Sequence, residues 1–442
     1  MSHVFHRGLA GKAPRATSGS GVWVEDEAGR RYLDAAGGAI VVSVGHGRTE
    51  VADAMAAQAS RLAYVHGAAF TTEAVEEYAD ELAPLLPMDA PRVYPVSGGS
   101  EAVETAMKLA RAYHLARLQP ARHKIVSRWG SYHGNSRGAL DASGRIGLRA
   151  PYEPWLGRSP HVAAVNEFRC PFPSHPAGCG AAHAALLEEL FEQEDPSTIA
   201  AFIAEPVGGA TLGGAVPPDD YWPAVAEVCR RHGVLLIADE VMTGFGRTGR
   251  WFGIDHWQVR PDILVAGKGT AGGYWPLGLC VASGEVFEAV EPAGFVHGFT
   301  YSHHPVGAAV GRAVLALLKG EGLVEASAER GAQLRDELRA RLADSPIVGD
   351  VRGLGLLVGV ELVQDRSTAE PFERSERMTE RVMAAARGHG LLLYSAAGCA
   401  DGSRGDAVLL GPPLIISPEE VRLAAERTAL AVAEVAEQLD GA

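Results

Sequence analysis

The sequence has no apolar run approaching the ~18 continuous residues that a membrane-spanning helix needs, so no membrane partner is expected. It also lacks a basic run with interleaved aromatics. With a formal net charge of −14, most of the surface repels a phosphate backbone, and nucleic acid is not expected as a partner. Cysteine is scarce: five residues, an odd number spread widely over the chain, fit a reducing compartment better than a disulfide framework. Met1 to Ala10 shows no apolar stretch leading to a small-residue cleavage site, so no secretion signal is read there and a cytoplasmic location is expected. Neither a repeat period nor a low-complexity tract is found.

What remains is a chain of ordinary globular composition, 47% apolar and 21% charged, whose 442 residues suffice for two or three domains or one large enzyme domain. Gly21 to Asp34 alternates apolar and polar residues around Ala28-Gly29, as a hairpin does. Thr72 then opens a 3.6-period stripe through Ala74, Val75, Tyr78, Ala79, Leu82 and Leu86, which predicts a helix ending at Pro87. From there to about residue 285, short apolar runs alternate with helical stretches: Arg92 to Ser97, Lys124 to Ser127, Ile199 to Ala204, Val234 to Ala238 and Ile263 to Ala266. That alternation predicts an α/β architecture with a largely parallel sheet covered on both faces. The last third reads as an α+β lobe, with a charged helix over Ser327 to Ala343, a strand-like Leu354 to Leu362 and a final helix from Ser417.

Two strand ends carry chemistry. Val234 to Ala238 is apolar throughout and ends in Asp239-Glu240, which delivers a carboxylate to the sheet edge where ligands sit in open α/β folds. Ile263 to Ala266 ends in Gly267-Lys268-Gly269, and a lysine there projects into the same crevice. Taken alone the two would equally make a structural ion pair. Ser97-Gly98-Gly99-Ser100-Glu101 adds a third part, because glycines followed by a helix N-terminus form a phosphate cradle from backbone N–H groups. Gly244 to Gly249 also fits G-x-G-x-x-G, but no helix pattern follows it and no acidic residue closes the next strand, so a dinucleotide site is not expected. Cys170, His175, Cys179 and His183 are metal-ligand types at spacings unlike the usual ones, and no metal is expected. The other cysteines read as packing residues.

With these parts in place the chain resembles the class III aminotransferases, pyridoxal-phosphate enzymes of fold type I. The similarity runs through Ser97 to Arg111, Ser131 to Asn135, Glu205-Pro206-Val207, Leu235 to Gly249, Pro261 to Gly269, Gly298 to Pro305 and Pro412-Pro413-Leu414. It implies a large domain, residues 61–310, with a mostly parallel seven-stranded sheet. Residues 1–60 and 311–442 would then make up a smaller α+β domain. It implies pyridoxal 5'-phosphate as cofactor, carried by Lys268 as an aldimine, with Asp239 paired to the ring nitrogen. Gly99 and Ser100 match phosphate ligands, Tyr132 the aromatic stacked on the ring, and Val241 the residue on its opposite face. Thr300 matches a phosphate contact given to the neighbouring subunit, which implies a homodimer or a dimer of dimers. Glu205 matches a polar residue near the reacting centre, and His133 reads as a supporting histidine rather than the base.

Two positions depart from that pattern. Met242 stands where many relatives have a glutamine, and Leu409 where glutamate-, ornithine- and aminobutyrate-using relatives carry an arginine. Without a fixed arginine a substrate carboxylate would lose its bidentate partner. The arrangement is closest to amine:pyruvate and ω-amino acid:pyruvate transaminases, which use a mobile arginine, and Arg404 is the candidate for that part. The expected activity is a ping-pong transfer from an amine or ω-amino acid to a keto acid, pyruvate first. The alternatives are 2-oxoglutarate as acceptor, or a decarboxylase, aminomutase or epimerase of the same family.

Overall fold

The computed structural model describes residues 3–7, 14–172 and 178–440. At its centre lies a seven-stranded sheet in the order Arg92–Val96, Gly278–Ala282, Ile263–Ala266, Leu235–Glu240, Ile199–Ala204, Lys124–Arg128, His161–Val162. Gly278–Ala282 runs antiparallel to both of its neighbours and the remaining neighbours pair in parallel. The sheet is thus mostly parallel, as expected. Ile199–Ala204 and Ile263–Ala266 are buried at every position, which is why their sequences are unbroken apolar runs rather than alternating ones.

Strand direction has a functional consequence. Arg92–Val96, Lys124–Arg128, Ile199–Ala204, Leu235–Glu240 and Ile263–Ala266 all point the same way, so their carboxyl ends meet at one edge. Register aligns Asp239 with Val265 and Glu240 with Ala266, one residue before Gly267-Lys268.

Two four-stranded sheets flank the central one. The first joins Ala16–Ser20, Trp23–Asp26 and Arg31–Asp34 to Leu391–Leu392, which ties the N-terminal hairpin to the C-terminal third. The second contains Val348–Leu354, Leu357–Leu362, Asp406–Leu410 and Tyr394–Ser395. Here the single strand expected over Leu354 to Leu362 is corrected. It is a hairpin arm, and the chain turns at Gly355, whose φ of +51° suits a residue without a Cβ. The helix expected after Thr72 spans Glu73–Leu82 and passes into a 3-10 turn, Ala83–Leu85, before Pro87. No described helix is long and apolar enough to cross a membrane.

The cysteines divide. Cys229, Cys280 and Cys399 are buried packing residues. Cys170 and Cys179, in a chain whose cysteines were not expected to make a disulfide framework, are paired as a disulfide beside the start of the helix Cys179–Gln193. His175 lies outside the described residues.

Candidate active site

One cavity of about 200 Å³ opens at the carboxyl edge of the central sheet, lined by Gly99, Ser100, Tyr132, His133, Gly134, Glu205, Ala210, Asp239, Val241, Met242 and Lys268. The strand-end acid and the strand-end amine therefore open into the same space. A larger cavity, about 750 Å³, lies elsewhere between Tyr94, Phe287, Phe295 and His303 and has no lysine in its wall.

Lys268 follows Gly267 at the end of its strand with φ +46°, a left-handed conformation that a non-glycine residue adopts only where the surroundings enforce it. Burial pulls its ammonium down to about 8, against the opposing pull of Asp239 and Glu205; the charge of Arg247 acts in the same direction as burial. Desolvation wins, so neutral amine is present near neutral pH.

Asp239, 2% exposed, is held from two sides. Its Oδ1 accepts the Val241 backbone N–H at 3.0 Å, and its Oδ2 sits 2.6 Å from His133 Nδ1. His133 is itself pinned, its backbone N–H donating to Ser143 Oγ at 2.8 Å, while its Nε2 is buried without a partner among the described residues. Histidine thus braces the acid while bordering the same cavity.

Opposite the acid, the helix Gly99–Ala116 points its N-terminus into the cavity. The N–H groups of its first turn have no intrahelical acceptor and its dipole favours an anion there. Ser100 Oγ accepts the Asn135 N–H at 3.0 Å and so joins the cradle to the Tyr132 loop. Glycine at 134 is required twice over: its φ is +146°, and a Cβ would come within 2.5 Å of Ser100 Oγ. Val241 packs beneath, its Cγ1 3.0 Å from where a Gly99 Cβ would stand. An anion cradle at one end, an aspartate at the other and a lysine between them fit a phosphorylated pyridine aldehyde.

Glu205 is the second buried acid. Its Oε1 accepts the Tyr132 N–H at 3.2 Å, its Oε2 has no hydrogen-bond partner among the described residues, and burial raises its pKa. Arg128 lies behind it, 1% exposed, donating to the Glu205 carbonyl at 2.5 Å with Nη2 3.8 Å from the carboxylate. Reasoning from sequence missed Arg128, as well as Gly134 and Ala210. The charged end of Lys124–Arg128 was a signal, but its partner is 77 residues away.

Of the residues expected at the site, only Thr300 and Arg404 are absent from this wall. Thr300 is exposed, and its carbonyl accepts the Tyr64 hydroxyl at 2.5 Å. Arg404 stands outside the cavity in this structure, its guanidinium engaged by Asp401 at 2.9 Å, Glu370 at 3.0 Å and Glu373 at 3.5 Å. The charges that favour the Tyr132 phenolate are Arg7 and Arg145, although burial, the largest effect, raises that phenol's pKa. Leu409 is fully buried in its strand, paired with Gly359 and Tyr394.

A sheet edge of this kind, with lysine, aspartate and anion cradle in one cavity, defines a fold-type I transferase. The chain matches the model of the aminotransferase class-III family over residues 11–432 and belongs to that family. It is 34% identical to a putrescine–pyruvate aminotransferase of Pseudomonas aeruginosa, over 92% of this chain and 87% of that one. It is 35% identical to a diaminobutyrate–2-oxoglutarate transaminase of Halomonas elongata, over 96% and 91%. Among solved structures, the omega transaminase from Pseudomonas jessenii in complex with PMP superposes with a TM-score of 0.90 at 32% identity, covering 97% of this chain and 94% of that one.

Proposed function

We propose that this aminotransferase uses pyridoxal 5'-phosphate held at Lys268 to move an amino group from an amine or ω-amino acid to a keto acid, pyruvate first, in two half-reactions. The observation that carries this reading is the opening of Lys268 and Asp239, from neighbouring strands, into one cavity capped by a helix N-terminus. The cofactor, when bound, supplies an electron sink for the substrate's carbon.

This chain's own residues do the rest. Lys268 anchors the cofactor and then holds and moves the proton at the substrate carbon, which its lowered pKa permits near neutral pH. Asp239, braced by His133, presents negative charge to the ring nitrogen and favours its protonation. Gly99 and Ser100 would hold the phosphate through backbone N–H groups, Tyr132 and Val241 would flank the ring, and Met242 and Glu205 would border the reacting centre. Thr300 contributes to the neighbouring site in a homodimer. We keep the division into a large domain, 61–310, and a small domain from 1–60 and 311–442, supported by the pairing of Leu391–Leu392 with Arg31–Asp34.

Pyruvate is preferred over 2-oxoglutarate because none of the described cavity-lining residues is arginine, so a second carboxylate meets no bidentate partner. The putrescine–pyruvate relative supports this preference, and the 2-oxoglutarate-using relative names the competitor. The test is a donor screen with both acceptors on cofactor-loaded enzyme. A donor should bleach the cofactor absorbance and pyruvate should restore it at least about tenfold faster than 2-oxoglutarate. Restoration by 2-oxoglutarate alone contradicts the assignment, as does carbon dioxide release without an acceptor.

A further inference from the structure

We propose that Cys170, Cys179 and His183 form a zinc site, distinct from the Lys268 cavity, that fastens the chain entering the helix Cys179–Gln193. The inference stands apart from the choice of donor and acceptor and concerns a function that the aminotransferase chemistry does not use.

Convergence is the first ground. One ligand atom from each of the three residues lies within 4.8 Å of the others, and His183 Nε2 is 3.8 Å from Cys170 Sγ. With Zn–S near 2.3 Å and Zn–N near 2.0 Å at a tetrahedral angle, sulfur and nitrogen stand about 3.5 Å apart, a few tenths short of what is observed. Cys179 and His183 are four residues apart on one helix and so share a face. Cys170 reaches them from the incoming chain.

The second ground is the surroundings of each ligand, which favour the metal-binding form once the sulfurs are reduced. Cys170 Sγ accepts the Phe172 backbone N–H at 3.3 Å, a bond that favours thiolate. Cys179 is the first residue of a 15-residue helix, where the helix dipole also favours thiolate. His183 is 3% exposed, its Nδ1 has no hydrogen-bond partner among the described residues, and its Nε2 meets Cys170 Sγ. Two thiolates and an imidazole suit zinc among the first-row metals. Both cysteines are half-buried, which leaves an entry path and room for water as a fourth ligand. Binding releases the two thiol protons and involves no electron transfer.

The structure pairs Cys170 with Cys179 as a disulfide, and that oxidised state and the zinc-bound state exclude each other, since an ion must part the sulfurs. The experiment is elemental analysis and intact mass on the full-length, cofactor-loaded enzyme, free of any polyhistidine tag and produced with zinc in the medium. About one zinc per chain is expected after dialysis, with the mass of the fully reduced chain once metal is removed. Cys179→Ser and His183→Ala should each lower bound zinc more than about tenfold while keeping the cofactor absorbance. Should those variants not fold, cobalt(II) exchanged into the wild type decides: a sulfur-to-cobalt charge-transfer band supports the site and its absence overturns it. Less than about a tenth of a zinc per chain overturns the proposal, as does a mass two hydrogens short or zinc unmoved by the substitutions.

Discussion

At the scale of single residues, the energetics centre on an amine kept where water does not solvate it. Burial at Lys268 outweighs the attraction of Asp239 and Glu205 and leaves the group titrating at about 8 rather than 10.5. The folded chain therefore binds fewer protons than the unfolded chain between those values, and stability rises with pH through that window. Lys268→Met should stabilise the cofactor-free protein below pH 8, by roughly 3 kcal/mol at most, with the advantage fading toward pH 10.5. Denaturant melts over that range measure it, and a gap independent of pH contradicts it. Substrate carboxylates give a second expectation. With Arg404 tied to three acids, Arg7 and Arg145 are the cations whose charge acts on Tyr132, and Arg145 is the one to test. Arg145→Ala should raise KM for pyruvate about tenfold or more with little change in kcat, while Arg404→Ala should not. The reverse pattern would restore Arg404 as the mobile arginine.

Among elements, the loop after Leu235–Glu240 depends on a carboxylate next to the site. Glu240 is fully buried and accepts the Gly253 and Ile254 N–H groups, each at 2.8 Å, as well as the Thr243 hydroxyl. Burial raises it to about 7 despite those bonds. A carboxyl raised on folding contributes stability that is full below pH 4.5 and lost as pH climbs through 7. Relative to Glu240→Gln, the wild type should lose roughly 3 kcal/mol at most across that interval. Parallel pH–stability curves for the two proteins would contradict this. Most elements were legible beforehand because periodicity and strand-end punctuation are local. Lys268 and Asp239 stood out as ionisable residues closing apolar runs. Arg128 did not, since its meaning comes from Glu205 and from the rings of Tyr221 and Trp222 beneath it. Leu354 to Leu362 misled because apolar residues flank Gly355 on both sides and hide the turn. Cys170, Cys179 and His183 stood out as ligand types, but their spacing alone did not show that they meet.

For the whole molecule, one chain supplies lysine, acid and anion cradle, but Thr300 stays exposed and away from its own chain's cavity. If it serves a neighbouring site, the enzyme in solution should have twice the chain mass or more by light scattering. Thr300→Ala should then weaken cofactor binding several-fold without changing that mass. A monomer with full activity contradicts the shared site. The central claim has a more direct test, because only four other lysines, Lys12, Lys108, Lys124 and Lys319, compete for the cofactor. Borohydride reduction of the cofactor-loaded enzyme, followed by peptide mapping, should place the added mass on Lys268. Mass on any of the other four, or on none, would contradict the account.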